Sequence, residues 1–186
     1  MQDIATKKAD ARKTAFARRA AAHTEQANQA GNRHLLDFLT RFRGEEMSGY
    51  MAIRTEIDPL AAMSEMAKYG PVGVPVIIGP GLPLEFHRWE PDIAMIAGPF
   101  GARVPINAEA VVPKVIVMPL AAFDRSGSRL GYGGGFYDRT LELLRQSGPV
   151  LAIGFAYSAQ EFEQLPVEPT DQKLDAVVTE SGVITI

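Results

Sequence analysis

Four glycines within five positions, at 131 and 133–135, constrain this chain more than any other feature of its sequence. Glycine loses more conformational entropy on ordering than any other residue, so such a cluster is disfavoured inside a helix or strand. Beyond Gly135 apolar residues recur at helical spacing, which predicts a helix that begins near Phe136 or Tyr137. A loop that enters a helix directs unpaired N–H groups and the positive end of the helix dipole at one place, which favours phosphate.

Charged residues flank this predicted loop. Arg129 precedes the glycines, and Asp138 follows them. A cation, a set of backbone amides and a carboxylate within ten residues indicate a nucleoside triphosphate site with a metal ion. A glycine-rich surface turn with scattered charges is the alternative. The segment is neither a Walker loop nor a dinucleotide fingerprint, because the required Lys-Ser/Thr and the third glycine are absent.

Composition narrows the class of protein. The chain has 186 residues, of which 46% are hydrophobic and 22% charged, as expected for one globular domain spanning 1–186. It has no cysteine, which excludes disulfides and thiol nucleophiles, and no apolar run approaches the length of a membrane span. The net charge of −3 argues against nucleic acid as a partner. We therefore expect a cytoplasmic monomer that binds neither membranes nor nucleic acids.

The stretch from Ala122 to Arg139 resembles the signature of the 5-formyltetrahydrofolate cyclo-ligases, also called methenyltetrahydrofolate synthetases. That signature is roughly Ala-Phe-Asp-x-x-Gly-x-Arg-Leu-Gly-x-Gly-x-Gly-Tyr-Tyr-Asp-Arg, and the one departure here is Phe136 in place of tyrosine. The resemblance extends over nearly the whole chain. It implies ATP- and Mg²⁺-dependent cyclisation of 5-formyltetrahydrofolate to 5,10-methenyltetrahydrofolate, with release of ADP and phosphate.

The resemblance also implies roles for individual residues. Lys8, Arg12 and Arg129 would act on the phosphates as the catalytic cations. The expected ATP-binding residues are Lys8, Arg12, Arg129, Leu130, Gly131, Tyr132, Gly133, Gly134, Gly135, Phe136 and Tyr137. The expected folate-binding residues are Met51, Glu56, Tyr132, Gly133, Gly134, Gly135 and Phe136. Asp138 and Asp171 would hold Mg²⁺, which prefers one or two carboxylates together with phosphate oxygens and water.

Several of these residues have plainer interpretations on the sequence alone. Lys8 and Arg12 lie four residues apart in an alanine-rich segment. Positions 1–20 contain six basic residues and two acidic ones, so Lys8 and Arg12 could belong to a solvated basic helix. Glu56 could be a solvated loop carboxylate. Two positions depart from the family pattern: Val104-Pro105 stands where a Glu-Pro is usual, and Thr170 where a histidine is usual.

Periodicity predicts a three-layer α/β/α sandwich with a mostly parallel, open central sheet of the Rossmann-like kind. Helices are expected at 3–22, from about 35 to Gly44 after a loop at Gly31-Asn32, at 58–69 and after Gly135. Strands are expected at 50–53, 74–78, 84–89, 115–118, 150–156, 176–179 and 183–186, with 115–118 in the centre. A long loop is expected at 98–113.

Two other functions remain open from the sequence. The protein could be a binding module that sequesters 5-formyltetrahydrofolate without turnover. It could also be an ATP-dependent enzyme that acts on another formylated or amide substrate.

Overall fold

The computed structural model describes residues 3–186, except for the side chain of Phe100. The helices are α1 (Ile4–Ala22), α2 (Glu25–Leu39), α3 (Leu60–Met66) and α4 (Phe136–Ser147). The strands are β1 (Met47–Ser48), β2 (Val72–Val76), β3 (Glu85–Trp89), β4 (Met95–Ala97), β5 (Arg103–Pro105), β6 (Val115–Pro119), β7 (Ala122–Phe123), β8 (Arg129–Leu130), β9 (Leu151–Phe155), β10 (Ala176–Thr179) and β11 (Gly182–Thr185).

Seven strands form the central sheet, in the order β11-β10-β9-β6-β1-β2-β3. The five inner strands run parallel to one another, whereas β3 and β11 at the two edges are antiparallel to them. The wholly apolar strand β6 lies at the centre. The predicted α/β fold with a mostly parallel sheet is therefore confirmed, including the position of this strand.

Helices cover both faces of the sheet, and the alternation along β6 explains why. Val115 and Val117 pack in a core with α2 and α3 on one face, whereas Ile116 and Met118 pack with α4 on the other. Successive side chains of a strand point to opposite faces, so a strand between two helical layers must be apolar at every position. Trp89 is only 3% exposed and packs in the first core, and it is not among the residues that line the pocket described below.

Helix α1 lies outside these layers, over the β7–β8 hairpin. Ala15 packs there against Ala122, Leu130 and Leu165 in a third apolar cluster. Asp3 caps the helix by accepting a hydrogen bond from the Thr6 N–H at 2.7 Å. The small residue in the contact brings the helix backbone close to the hairpin, which carries the basic side of α1 to the glycine-rich loop.

The loop predicted at Gly31-Asn32 is wrong, because both residues lie inside α2. A Cβ added to Gly31 would lie 2.5 Å from Ile57 Cδ1, so glycine allows α2 to pack closely against the segment that precedes α3. The Asn32 amide donates to the Asp58 carbonyl at 2.7 Å and accepts from the Ala62 N–H at 3.1 Å. This Gly-Asn pair therefore joins α2 to the start of α3 instead of making a turn.

Two further sequence-based assignments differ from the structure. The strand expected at 50–53 is instead the short β1 at Met47–Ser48, and the chain then leaves the sheet as an irregular segment. In that segment the Tyr50 hydroxyl donates to the Ile57 carbonyl, and the Ile53 N–H donates to Glu56 Oε2. The loop expected at 98–113 contains β5, which pairs with β4 as an antiparallel hairpin.

Candidate active site

A pocket of about 690 Å³ opens where β1, β2 and β6 end, at the C-terminal edge of the parallel strands. Ligands of open α/β sheets collect at this edge. Every residue predicted to bind ATP, folate or metal lines the pocket. They are Lys8, Arg12, Met51, Glu56, Arg129, Leu130, Gly131, Tyr132, Gly133, Gly134, Gly135, Phe136, Tyr137, Asp138 and Asp171.

Arg129 presents unsatisfied hydrogen-bond donors at this pocket. Its side chain is 5% exposed, and Nη1 donates to Asp138 Oδ1 at 3.0 Å. Its Nε and Nη2 are buried and have no hydrogen-bond partner within residues 3–186. Buried donors are nearly always paired in native proteins, so these two groups indicate a missing partner with acceptor atoms.

The glycine loop supplies backbone donors beside Arg129. Gly133 and Gly135 have φ values of +99° and +64°, which L-residues with a Cβ rarely adopt. Gly135 is the N-cap of α4, and no side chain caps this helix. The first N–H groups of α4 and its dipole therefore remain available for an anion at the pocket wall.

Helix α1 contributes two cations to the same wall. Lys8 Nζ donates to Asp171 Oδ2 at 2.6 Å and to Glu168 Oε2 at 2.7 Å, and Arg12 Nε donates to the Gly131 carbonyl at 2.8 Å. Burial lowers the pKa of Lys8, but the hydrogen bonds to Asp171 and Glu168 outweigh it, and the net shift is upward. Lys8 is therefore a fixed, charged group that is only 7% exposed. The alternative interpretation, a side chain on a solvated basic helix, is wrong for this residue.

The two aspartates proposed for Mg²⁺ each use one carboxylate oxygen within the protein. Asp138 Oδ1 accepts from Arg129 and from the Gln172 N–H, and Asp171 Oδ2 accepts from Lys8 and from the Glu168 N–H. These contacts leave Asp138 Oδ2 and Asp171 Oδ1 for a ligand. No group of three or more metal-ligating side chains occurs in the part of the chain that the structure describes. A site with two carboxylates fits Mg²⁺ only if phosphate oxygens and water complete its shell.

Glu56 contributes a buried carboxylate to the same pocket. It is 4% exposed, its Oε2 accepts from the Ile53 N–H at 2.9 Å, and its Oε1 accepts from the Tyr132 hydroxyl at 3.0 Å. Burial raises the pKa of Glu56, against the opposing effects of these two hydrogen bonds and the charge of Arg19. Each carboxylate oxygen keeps a second lone pair, so Glu56 can still accept hydrogen bonds from a ligand.

Tyr137 lies on the first turn of α4 and also lines the pocket. Its hydroxyl is buried and has no hydrogen-bond partner within residues 3–186. Burial, together with the nearby Glu56 charge, raises the pKa of Tyr137 far above its usual range. The hydroxyl is thus a neutral donor, and both Glu56 and Arg129 lie close enough to influence it.

Comparisons with known proteins identify the family to which the chain belongs. A sequence profile of the 5-formyltetrahydrofolate cyclo-ligase family matches residues 4–180. The chain belongs to the 5-formyltetrahydrofolate cyclo-ligase family. The resemblance inferred from residues 122–139 is therefore confirmed over nearly the whole sequence.

Relatives in this cyclo-ligase family come from several bacteria. The 5-formyltetrahydrofolate cyclo-ligase of Haemophilus influenzae is 33% identical over 156 residues, covering 80% of this chain and 83% of that protein. The cyclo-ligase of Escherichia coli is 32% identical over 179 residues, covering 89% and 96%. The solution structure of Aquifex aeolicus 5,10-methenyltetrahydrofolate synthetase superposes with a TM-score of 0.78 at 29% identity, covering 96% of this chain and 92% of that one.

The cyclo-ligase signature did not reveal every residue that shapes the pocket. Arg54 and Glu168 line it, and Arg19 contacts two of its wall residues, yet no sequence pattern distinguished these three. Charged residues are common on any protein surface, so only the fold shows which of them lie at the site. Both departures from the family pattern, Val104 and Thr170, also line the pocket.

Proposed function

We propose that this protein catalyses the ATP-driven cyclisation of 5-formyltetrahydrofolate to 5,10-methenyltetrahydrofolate. The observation that carries the proposal is the half-satisfied, buried guanidinium of Arg129 in a pocket that also presents the buried carboxylate of Glu56. One wall suits the phosphates of ATP, and the other suits the hydrogen-bond donors of a pterin ring. Relatives named for this reaction cover most of the chain.

We use the name phosphate wall for Arg129, the start of α4, Lys8 and Arg12, which would bind a nucleotide through positioning and charge. Arg129 offers two free N–H donors, the start of α4 offers backbone amides, and Lys8 and Arg12 add fixed positive charge. We propose that the triphosphate lies along Gly131–Gly135, with Phe136 and Leu130 beside it. Phosphoryl transfer needs little covalent help from a protein and depends mainly on such positioning and on stabilising negative charge.

The folate wall is formed by Glu56 together with Met51 and Tyr132. A pterin carries an exocyclic amino group and a ring N–H, so its donors match the acceptor oxygens of a carboxylate. The Met51 side chain offers an adaptable apolar contact for the ring. Gly133 and Gly134 have no side chain, which lets the substrate approach the nucleotide closely.

The proposed reaction needs no nucleophilic side chain. The formyl oxygen attacks the γ-phosphorus, the bond from the β–γ bridging oxygen to the γ-phosphorus breaks, and ADP leaves. N10 then attacks the formyl carbon, closes the ring and releases its proton to water, and the C–O bond breaks as inorganic phosphate departs.

Asp138 and Asp171 are the residues that would hold Mg²⁺, because each keeps one carboxylate oxygen outside its described protein contacts. When bound, the ion would neutralise charge on the phosphate oxygens.

Absorbance spectroscopy tests the proposal directly. Purified protein mixed with ATP, Mg²⁺ and 5-formyltetrahydrofolate should develop the near-ultraviolet absorbance of the methenyl product, with one ADP released for each product molecule. Omitting ATP should abolish the signal. Folate binding without product or ADP would instead indicate a sequestering module. ADP release with other formylated or amide compounds, but not with this one, would indicate a different substrate.

A further inference from the structure

Arg19 is a buried cation that none of the proposed steps uses. It lies on the inner side of α1, is 2% exposed, and does not itself line the pocket. Its Nε donates to Thr55 Oγ1 at 3.1 Å, and its Nη1 donates to the Tyr132 hydroxyl at 2.9 Å. A buried arginine is rare unless it is paired, so its partners indicate what it does.

The partners of Arg19 form a chain of hydrogen bonds that ends at Glu56. Arg19 donates to the Tyr132 hydroxyl, which in turn donates to Glu56 Oε1 at 3.0 Å. Arg19 Nη1 lies 3.9 Å from the same Glu56 oxygen. An arginine can only donate, so the Tyr132 oxygen must accept from it, and the hydroxyl proton is then directed to the carboxylate.

The aromatic ring of Tyr132 also makes contacts with neighbouring side chains. The Arg19 guanidinium carbon lies 5.6 Å from the ring centroid, and that of Arg54 lies 5.7 Å from it. Phe16 packs on the same ring with centroids 5.3 Å apart. Tyr132 is 41% exposed at the pocket, so these contacts fix a wall residue that would otherwise move freely.

We propose that Arg19 is a positioning residue for folate recognition, which it supports through Tyr132 and Glu56. It fixes the direction of the Tyr132 hydroxyl and stabilises Glu56 as an ionised acceptor, the form that receives the donors of a pterin. This inference rests on the proposed function, because it needs Glu56 to face the folate. It assigns Arg19 to the folate wall and separates it from Lys8 and Arg12, which lie on the same helix but contact the phosphate wall.

Steady-state kinetics with both substrates test this role. Arg19→Gln should raise the KM for 5-formyltetrahydrofolate by about tenfold or more, the change for one lost hydrogen bond to a charged group, and leave the KM for ATP within about twofold. Arg19→Lys should recover only part of the loss. Lysine restores the positive charge, but it lacks the planar set of N–H donors of a guanidinium. Arg18→Gln is the matched control, since Arg18 is the exposed neighbour of Arg19 on α1, donates to the Glu161 carbonyl and stacks on Phe162.

A double-mutant cycle distinguishes positioning from a merely structural role. Tyr132→Phe keeps the ring and removes the hydroxyl, so Arg19→Gln should raise the folate KM much less in that background than in the wild type. Equal effects in both backgrounds, or a parallel rise of the ATP and folate KM values, would overturn the inference. If Arg19→Gln does not fold, Arg19→Lys and Tyr132→Phe alone decide, and an unchanged folate KM in both rejects it.

The wild-type assay separates failure of this inference from failure of the proposed function. A wild-type protein that forms the methenyl product, together with an unaffected Arg19→Gln variant, would reject only the role of Arg19. A wild-type protein that neither binds nor converts 5-formyltetrahydrofolate would reject both.

Discussion

At the scale of single residues, Arg129 has a buried guanidinium group whose Nη1 is hydrogen-bonded and whose Nε and Nη2 have no partner among the described residues. Removing it takes two free donors from the phosphate wall and leaves Asp138 with one partner fewer. Arg129→Ala should raise the KM for ATP by about tenfold to a hundredfold, because hydrogen bonds from charged groups are lost. The KM for the folate should change much less. Initial rates measured over a range of ATP concentrations give the answer.

Arg125 provides the matched control for Arg129. It belongs to the same hairpin, its side chain is 71% exposed, and it pairs with Glu161 away from the pocket. Arg125→Ala should leave the ATP KM unchanged. A normal ATP KM in Arg129→Ala would remove the phosphate role assigned to this residue.

Glu56 should give the protein a characteristic dependence of stability on pH. Burial raises its pKa in the folded state, whereas in the unfolded chain the carboxyl titrates at its ordinary value. Between these two pKa values the folded protein retains a proton that the unfolded chain has released. The free energy of unfolding that Glu56 contributes should therefore be largest below the ordinary carboxyl pKa and fall as pH rises through the raised one.

Urea unfolding of the wild type and of Glu56→Gln between about pH 4.5 and 7 tests this sign. The stability of the wild type should fall relative to that of the variant as pH rises. A difference in unfolding free energy that stays constant across the range would mean that Glu56 has an ordinary pKa in the folded protein.

At the scale of secondary-structure elements, α1 is the arm that completes the phosphate wall. Lys8 on its inner side is 7% exposed and contacts Asp171 and Glu168, whereas its neighbour Lys7 is exposed. Lys8→Ala should raise the ATP KM by about tenfold, since it removes a cation and leaves two carboxylates beside the phosphates. Lys7→Ala should have no such effect. Equal ATP KM values for the two variants would contradict this role of the helix.

The loop that leads into α4 depends on glycine at particular positions. Gly133 has a φ of +99°, whereas Gly131 has no such strain and a Cβ added there meets no atom within 4 Å. Gly133→Ala should lower the free energy of unfolding by about 1–2 kcal/mol. Gly131→Ala should leave it unchanged or raise it slightly. Chemical unfolding of the ligand-free proteins compares them, and equal stabilities would show that the loop conformation is not needed for the fold.

At the scale of the whole molecule, features with a local cause were predictable from sequence. The apolar run of β6 predicted a central strand, because only a strand covered on both faces is apolar throughout. The glycine cluster predicted the loop and the start of α4 at Phe136, because both follow from backbone conformation. The assignment of the pocket-lining residues to ATP, folate and metal remains a prediction.

Features with a long-range cause were not predictable in the same way. Gly31-Asn32 resembles a turn in sequence. The pair is instead required inside α2 by its contacts with Ile57 and Ala62, which are distant in the chain. β1 lies at Met47–Ser48, before the apolar residues 50–53 that predicted a strand, because those residues turn away from the sheet to form the pocket wall. Arg19 is one of six basic residues near the N-terminus, and only the packing of α1 distinguishes it from the others.

The most direct test of the central claim is a structure determined with a magnesium nucleotide bound. The triphosphate should lie against Arg129 and the amides of Gly131–Gly135, with Lys8 and Arg12 of α1 over it and Glu56 left free for the folate. A triphosphate bound elsewhere, with the Nε and Nη2 groups of Arg129 still unpaired, would contradict the claim that this pocket is the nucleotide site.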